Sequence, residues 1–436
     1  MSLISLRCRA RARHSLLART AQATFRPLVG CLLLLAITSA PARAAPLTLT
    51  AAETRLMAGN PALAGAEQRI RALQRQADAA TRLPDPKVSL DASNLPTNNF
   101  SLTQQATTML SVGVSQEFPA FGKLALQGRS LQAQASEQRY GRAAQRAVLA
   151  LALRRAWLAA VYTRKAATIV REQQGLAAQS EQASLASYRS ARIPQSDVLR
   201  AKLALEELRN DLDVLRADES AQLARIAQLL GVERAPDIDG HWPDLSAPPA
   251  DPQAALASQP LLQQARAKVH ANAIAVRLAR KAYEPSFTVG ASYGKSFMPG
   301  SPNFVSVGVS FNVPLFAGRR IDDEVDVAGA RELEARFAEQ DQRLALVRQM
   351  RDAQARWRSL RDKWSRETTR MLPLARQAQR ATLSAYASGQ GSLGDVLKAQ
   401  QAVFTTQIQV LQDRRDLLAT QAELDYLTQA PQEGQP

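Results

Sequence analysis

Two hydrophobic periodicities divide this chain. Four short stretches alternate with period two. In the first, Val88, Leu90 and Ala92 alternate with Lys87, Ser89 and Asp91, and in the second, Leu110, Val112 and Val114 alternate with Ser111, Gly113 and Ser115. In the third, Phe287, Val289, Ala291 and Tyr293 make an apolar row. In the fourth, Val305, Val307, Val309, Phe311 and Val313 stand opposite Ser306, Gly308, Ser310 and Asn312. Period two predicts strands with one apolar and one polar face. The polar faces hold Ser, Gly, Lys and Asp, which suit water better than a protein core.

The rest of the chain is spaced for helices. A helix is predicted over Leu49–Thr81 and another over Pro252–Tyr283. Phe121–Tyr188 contains no proline, and Phe316–Tyr386 contains only Pro373. A helix of that length reaches about 100 Å at 1.5 Å per residue. Each long helix meets a tight turn and a return helix, over Asp197–Leu230 and Asp395–Leu427. In the first return helix Leu205, Leu208, Leu212, Leu215, Leu223, Ile226 and Leu230 follow a heptad seam. In the second, Phe404, Ile408, Leu411 and Leu418 follow a similar one. Helices this long, paired antiparallel, make a rod or the wall of a tube.

The plan occurs twice. The pentapeptide Ser111–Ser115 returns unchanged at Ser306–Ser310, 195 residues later. Pro86 and Pro285 are 199 apart, Phe121 and Phe316 are 195 apart, and Tyr188 and Tyr386 are 198 apart. These offsets define an internal duplication, residues 45–231 and 254–430, joined by a Pro-rich linker over 232–253 and followed by a tail over 431–436. A period near 200 is too long for a solenoid unit of about 20–50 residues. Each copy is half of a larger object.

Residues 1–44 stand apart. They carry seven arginines and no acid, then the apolar run Cys31–Ile37, then Ala42 and Ala44 at the positions before a cleavage site. That order is a secretory signal peptide, with cleavage expected after Ala44. Its apolar run is too short to span a bilayer. Leu28–Cys31 also fits a lipoprotein pattern, but the apolar core follows Cys31 instead of preceding it, so the sequence favours cleavage over lipidation. Removing the leader lowers the net charge from +16 to +9, since seven arginines leave, and both cysteines go with it. The exported chain then has no thiol for a disulfide or a thiolate site. Export and interspersed charge also argue against a nucleic-acid partner.

Four amphipathic strands cannot close a barrel, and about ten residues is the length that crosses an outer membrane. Several subunits giving four strands each would close one. With the leader, the duplicated plan and the Asp-Val-Leu motifs after each turn, residues 47–430 resemble the TolC-like outer-membrane efflux factors. "SVGVSQEFPAFGK" and the preceding "LPDP…NLP" look like the members that serve heavy-metal pumps of the cobalt-zinc-cadmium and copper-silver type.

The resemblance implies a mainly α fold with a small β part. Three chains would form a 12-stranded barrel in outer-membrane lipid and a periplasmic α-barrel. This homotrimer would be a passive exit duct, partnered by a periplasmic adaptor and an inner-membrane resistance-nodulation-division pump. It implies docking tips at Ser190, Arg192, Ile193 and Pro194, and at Gly389, Gln390, Gly391, Ser392 and Leu393. It also places Asp395, with Asp197 in the other half, near a periplasmic aperture. Lys398 stands where some members carry a second acid, which weakens the case for a double acidic ring. By their place after the turns, Asp197 and Asp395 are read first as helix caps.

No catalytic motif, phosphate loop or metal-ligand spacing is visible, and no cofactor or enzymatic activity is expected. His241 lies in the linker and is read as solvated, and His270 as a helix residue on the surface or in packing, not a ligand. Two alternatives stay open: a drug or solvent duct of the same family, and a periplasmic coiled-coil scaffold.

Overall fold

The computed structural model describes residues 46–244, 256–314 and 318–428; the leader, with Cys31, and the chain tail lie outside the described residues. The first helix expected is two. Helix α1 (Leu49–Gly59) ends at Asn60, and α2 (Pro61–Ala80) begins at once. Asn60 makes the break. Its Oδ1 accepts hydrogen bonds from the Ala62 and Leu63 amides at 2.9 and 3.4 Å, and its Nδ2 donates to the Leu229 carbonyl at 2.8 Å. Pro61 follows, where a missing N–H costs no hydrogen bond.

Strands β1 (Lys87–Ser93) and β2 (Met109–Phe118) come next. Then α3 (Lys123–Arg189) runs for 67 residues and α4 (Gln195–Leu230) returns. In the second half the helix expected over Pro252–Tyr283 is also broken: its start at 252–255 lies outside the described residues, Leu256 and Ala257 are helical, and α5 (Pro260–Arg280) begins after Gln259. Gln259 caps it as Asn60 caps α2, accepting from the Leu261 and Leu262 amides at 2.6 and 3.3 Å. Strands β3 (Ser286–Ser296) and β4 (Phe304–Asn312) follow. Helix α6 (Gly318–Arg366) passes through a wide π turn at Glu367–Met371 into α7 (Leu372–Ala387), and α8 (Leu393–Thr428) returns. Pro373 explains the turn. It has no N–H to donate, and its ring crowds the carbonyl of Thr369 four residues back.

All four predicted strands form, in one antiparallel sheet of order β1-β2-β3-β4. The register sets Leu90, Val112, Tyr293 and Val305 side by side, and next to them Val88, Val114, Ala291 and Val307. On the opposite face Ser89, Gly113, Ser292 and Ser306 form a row. The apolar face is the uncovered one: Val88, Leu90, Val305 and Val307 are 69–75% exposed. Along β3 the Ser/Gly side is the more shielded of the two. On the outer strands β1 and β4 both sides are largely exposed, so the sheet shields its Ser/Gly side only at its centre while leaving its valines uncovered throughout, which is inverted for water.

The helices carry the core. Trp157 is buried against Leu56, Leu153, Val161, Ile226, Leu230 and Ile238. Its counterpart Trp357, 200 residues on, packs with Leu346, Met350, Leu417 and Leu424. Of the heptad positions in α4, Leu205, Leu208, Leu212, Ile226 and Leu230 are buried, as expected. The halves are tied along their lengths. Arg154 on α3 pairs with Glu53 at 2.5 Å and with Asp425 on α8 at 3.0 Å, and Glu423 on α8 joins Arg155 and Arg356. The linker is partly built into the fold, since Leu47 and Ile238 form a parallel bridge. His241 is exposed, as read from the sequence. No helix among the described residues is long and apolar enough to cross a membrane.

Candidate functional site

Two features stand at the ends of the helix bundle: the inverted sheet, and the pair of helix-hairpin tips. At the first tip α3 ends on Ser190, whose Oγ donates to the Ala186 and Ser187 carbonyls at 3.3 and 3.0 Å. Ala191 then takes a left-handed conformation, φ 54°. The Ala191 amide donates to Tyr188 O and the Arg192 amide to Ser187 O, both at 2.9 Å. Arg192 and Pro194 are exposed, Ile193 is half-buried, and Pro194 immediately precedes α4.

The second tip makes the same reversal at the matching position, 198 residues on. Gly389 has φ 77°, and the Gln390 amide donates to Ala385 O at 2.9 Å. Gly389, Gln390 and Ser392 are exposed, while Gly391 and Leu393 are half-buried. A Cβ on Gly391 would come within 3.1 Å of the Tyr386 amide nitrogen. A bulky residue there would distort the turn as well as its outer surface.

The tips differ in a way that has an energetic consequence. A left-handed alanine costs about 1–2 kcal/mol that glycine avoids, against about 0.5–1 kcal/mol of extra chain freedom that glycine must lose. Ala191→Gly should therefore tighten the first tip by about 0.5–1 kcal/mol. Slower hydrogen exchange at the 191 and 192 amides would show it. Unchanged exchange would mean the alanine is unstrained.

The aspartates are not the capping residues expected. Ser392 caps α8: its Oγ accepts from the Asp395 amide at 3.1 Å and donates to Asp395 Oδ2 at 2.6 Å. Ser392 thus caps the helix with its hydroxyl while that hydroxyl also ties down the Asp395 carboxylate. The Ser392 hydroxyl and amide-side hydrogen bonds, with Lys398 nearby, hold the Asp395 carboxyl below the usual range. At the first tip Pro194 has no side chain to cap with, and Asp197 pairs with Arg200 at 3.3 Å. Both aspartates thus sit in the first helical turn, where a negative charge also suits the helix dipole. Asp395 and Lys398 are exposed and Asp197 is half-buried.

The sheet explains the repeated pentapeptide. Gly113 lies on the shielded face between two strands, and a Cβ there would meet Ser89 Oγ at 2.9 Å and Ser292 Cβ at 3.3 Å. Gly308 occupies the same place in the second copy, but β4 is an outer strand and its added Cβ would meet nothing within 4 Å. One glycine is crowded and its twin faces open space. Among the described residues β1 and β4 have no further strand beside them.

A third feature escaped the sequence reading. Glu367, in the wide turn, and Asp413 on α8 are buried together, 4% and 2% exposed. Pro373 marks where the helix must widen. Asp413 shares the phase of the buried Leu417, Gln421, Leu424 and Leu427. Those two signals together were available, but each alone reads as ordinary.

A small antiparallel sheet on a bundle of very long helices matches the fold of solved outer-membrane channels. CusC is similar at 17% identity, with TM-score 0.74, covering 88% of this chain and 92% of that one. The outer membrane protein VceC of Vibrio cholerae matches at 17% identity and TM-score 0.73, over 87% of this chain and 95% of that one. The open-state MtrE channel of Neisseria gonorrhoeae matches at 17% identity and TM-score 0.72, over 87% and 88%. The chain has the fold of these channels. In sequence, residues 252–428 match the outer membrane efflux protein family. A comparison with curated proteins finds no match.

Proposed function

We propose that this protein is the outer-membrane exit duct of a tripartite efflux system, a passive channel and not an enzyme. The observation that carries the reading is the four-stranded sheet whose valine face is uncovered on every strand while its Ser/Gly face is shielded along the central strands β2 and β3. That arrangement fits lipid outside and a water-filled lumen inside. Two open edges and the empty space beside Gly308 call for strands from other copies. Three copies would give a closed barrel of about 12 strands, an even number within the range of such barrels. The family match over residues 252–428 supports the efflux assignment.

In this reading the leader sends the chain to the Gram-negative outer membrane, and the helix bundle extends into the periplasm. The tips dock a periplasmic adaptor, which links the duct to an inner-membrane pump of the resistance-nodulation-division type. Arg192 is the most prominent charge on the first tip. Heavy-metal cations are the proposed cargo, on the resemblance around Ser111–Lys123; a drug or solvent cargo remains the other reading. The experiment is a deletion strain exposed in turn to metal cations and to drugs, complemented by the wild type and by Arg192→Glu. Metal sensitivity, restored by the wild type and not by Arg192→Glu despite normal membrane insertion, is the expected result. Full tolerance of every compound in the deletion strain would sink the efflux reading.

The aperture can be examined separately. Lys398→Glu would replace the cation one turn after Asp395 by a second acid. Reversal potentials across a reconstituted bilayer in a salt gradient should then shift towards cation preference. No shift would place the narrowest point elsewhere.

A further inference from the structure

The pocket at the wide turn holds two buried carboxyls and one lysine. Lys363 Nζ donates to Asp413 Oδ1 at 2.9 Å and lies 3.8 Å from Glu367. Gln409 Nε2 also donates to Asp413 Oδ1, at 3.0 Å. Glu367 Oε2 has no hydrogen-bond partner among the described residues, although it is buried. Asp413 Oδ2 is likewise buried with no hydrogen-bond partner among the described residues, and both carboxyls face Lys363 Nζ. Two buried carboxylates beside one ammonium leave an uncompensated charge, which is costly. A proton on Glu367, donated towards Asp413, removes both the excess charge and the orphaned oxygen.

We propose that Glu367 and Asp413 form a proton-binding site that clamps the wide turn, and with it the arm α7, onto α8. Release of the proton to water leaves two facing carboxylates, and the turn loosens. The clamp sits where the helix is already out of regular α geometry, so the packing there is the least supported by backbone hydrogen bonds. The arm it holds leads to the second tip, Gly389–Leu393.

The surrounding charges point the same way. Burial first, then the hydrogen bond and charge of Asp413, push Glu367 up to about 7, while Lys363 and Arg366 on its own helix oppose the shift. Burial works to raise Asp413, but hydrogen bonds from Glu367, Lys363 and Gln409 and the charge of Lys363 hold it low. The proton therefore resides on Glu367. The remaining charged neighbours on α8 have other partners: Arg414 stacks on Trp242 and Trp364, and Arg415 pairs with Asp416 at 2.7 Å and lies over Tyr162 of α3. The charge of Asp416 bears on Lys363, which it helps keep charged. The sign follows from the raised value. The clamp is complete below the ordinary glutamate range near 4.5 and is lost as pH rises through about 7.

The test uses the full exported chain in detergent micelles and does not depend on whether the protein conducts. Hydrogen exchange of the amides over 363–375 and 409–416 would be followed from about pH 5 to about pH 8.5, corrected for intrinsic rates. Wild-type protection should fall by about tenfold for each pH unit across the transition, then level off. Glu367→Gln keeps a neutral donor facing Asp413 and should stay protected throughout. Infrared spectra of the wild type should also show a protonated-carboxyl band that disappears on the same pH rise and is missing in Glu367→Gln. Flat wild-type protection, the same pH dependence in Glu367→Gln, or no such band near pH 6 in the wild type would overturn the proposal.

Discussion

Arginine in place of Val307 should leave the helix bundle intact and keep the protein out of the outer membrane. Val307 is 75% exposed and lies mid-strand on β4, in register with Ala291. If that face met water, the change would be a surface substitution worth within about 0.5 kcal/mol. If it meets lipid near the bilayer midplane, it costs about 2–4 kcal/mol per copy. A ring of several copies would multiply the penalty. The measurement is the fraction of protein recovered in washed outer membranes, with circular dichroism confirming helix content. Ser306→Arg, one residue earlier on the opposite face, is the control and should insert far better. Equal insertion of the two variants would mean the faces have been assigned the wrong way round.

Trp157→Ala should have the largest effect on the helix bundle. The indole is 1% exposed and touches residues from α1, α4 and the linker as well as its own helix. Long, closely packed antiparallel helices cannot easily collapse into the space, so the full cost of a buried aromatic truncation, about 3–5 kcal/mol, is expected. Denaturant unfolding of the helix signal in detergent would read it. Trp357→Ala, in the matching core, should cost less. Trp357 is 8% exposed, and one side of its ring is covered by the solvent-facing Arg361, 5.0 Å from the ring, which does not pack like a core side chain. A loss under about 1 kcal/mol at Trp157 would show that this layer is not a keystone of the bundle.

Much of the fold was legible because long repetition amplifies weak signals. The alternation at Val305–Val313 and the leucine seam at Leu205–Leu230 are strong periodic patterns, and each held in the structure. The failures are local. Asn60-Pro61 is a helix-start signal, but it sits inside a strongly helical stretch whose periodicity outweighs it. Its repeat at Gln259-Pro260 carried the same offset as the proline pair at 86 and 285, so comparing the copies would have exposed it. The tip aspartates were read as caps because Asp is a good capping residue. The structure gives that role to Ser392, three residues earlier, which only backbone geometry could decide. The buried Glu367–Asp413 pair was hidden for a different reason. Charged residues at intervals on long helices are nearly always solvated, and burial here depends on a proline-induced turn meeting one particular position on another helix.

The shared barrel is the centre of the account, and the oligomer in the membrane tests it most directly. Outer-membrane fractions of expressing cells would be run on gels with and without heating, and the extracted complex weighed by native mass spectrometry. A heat-sensitive complex of three copies in the outer membrane, with its four-stranded sheets joined edge to edge, is the expected result. A soluble periplasmic monomer would contradict it, and would mean that the uncovered valine face of the sheet serves something other than lipid.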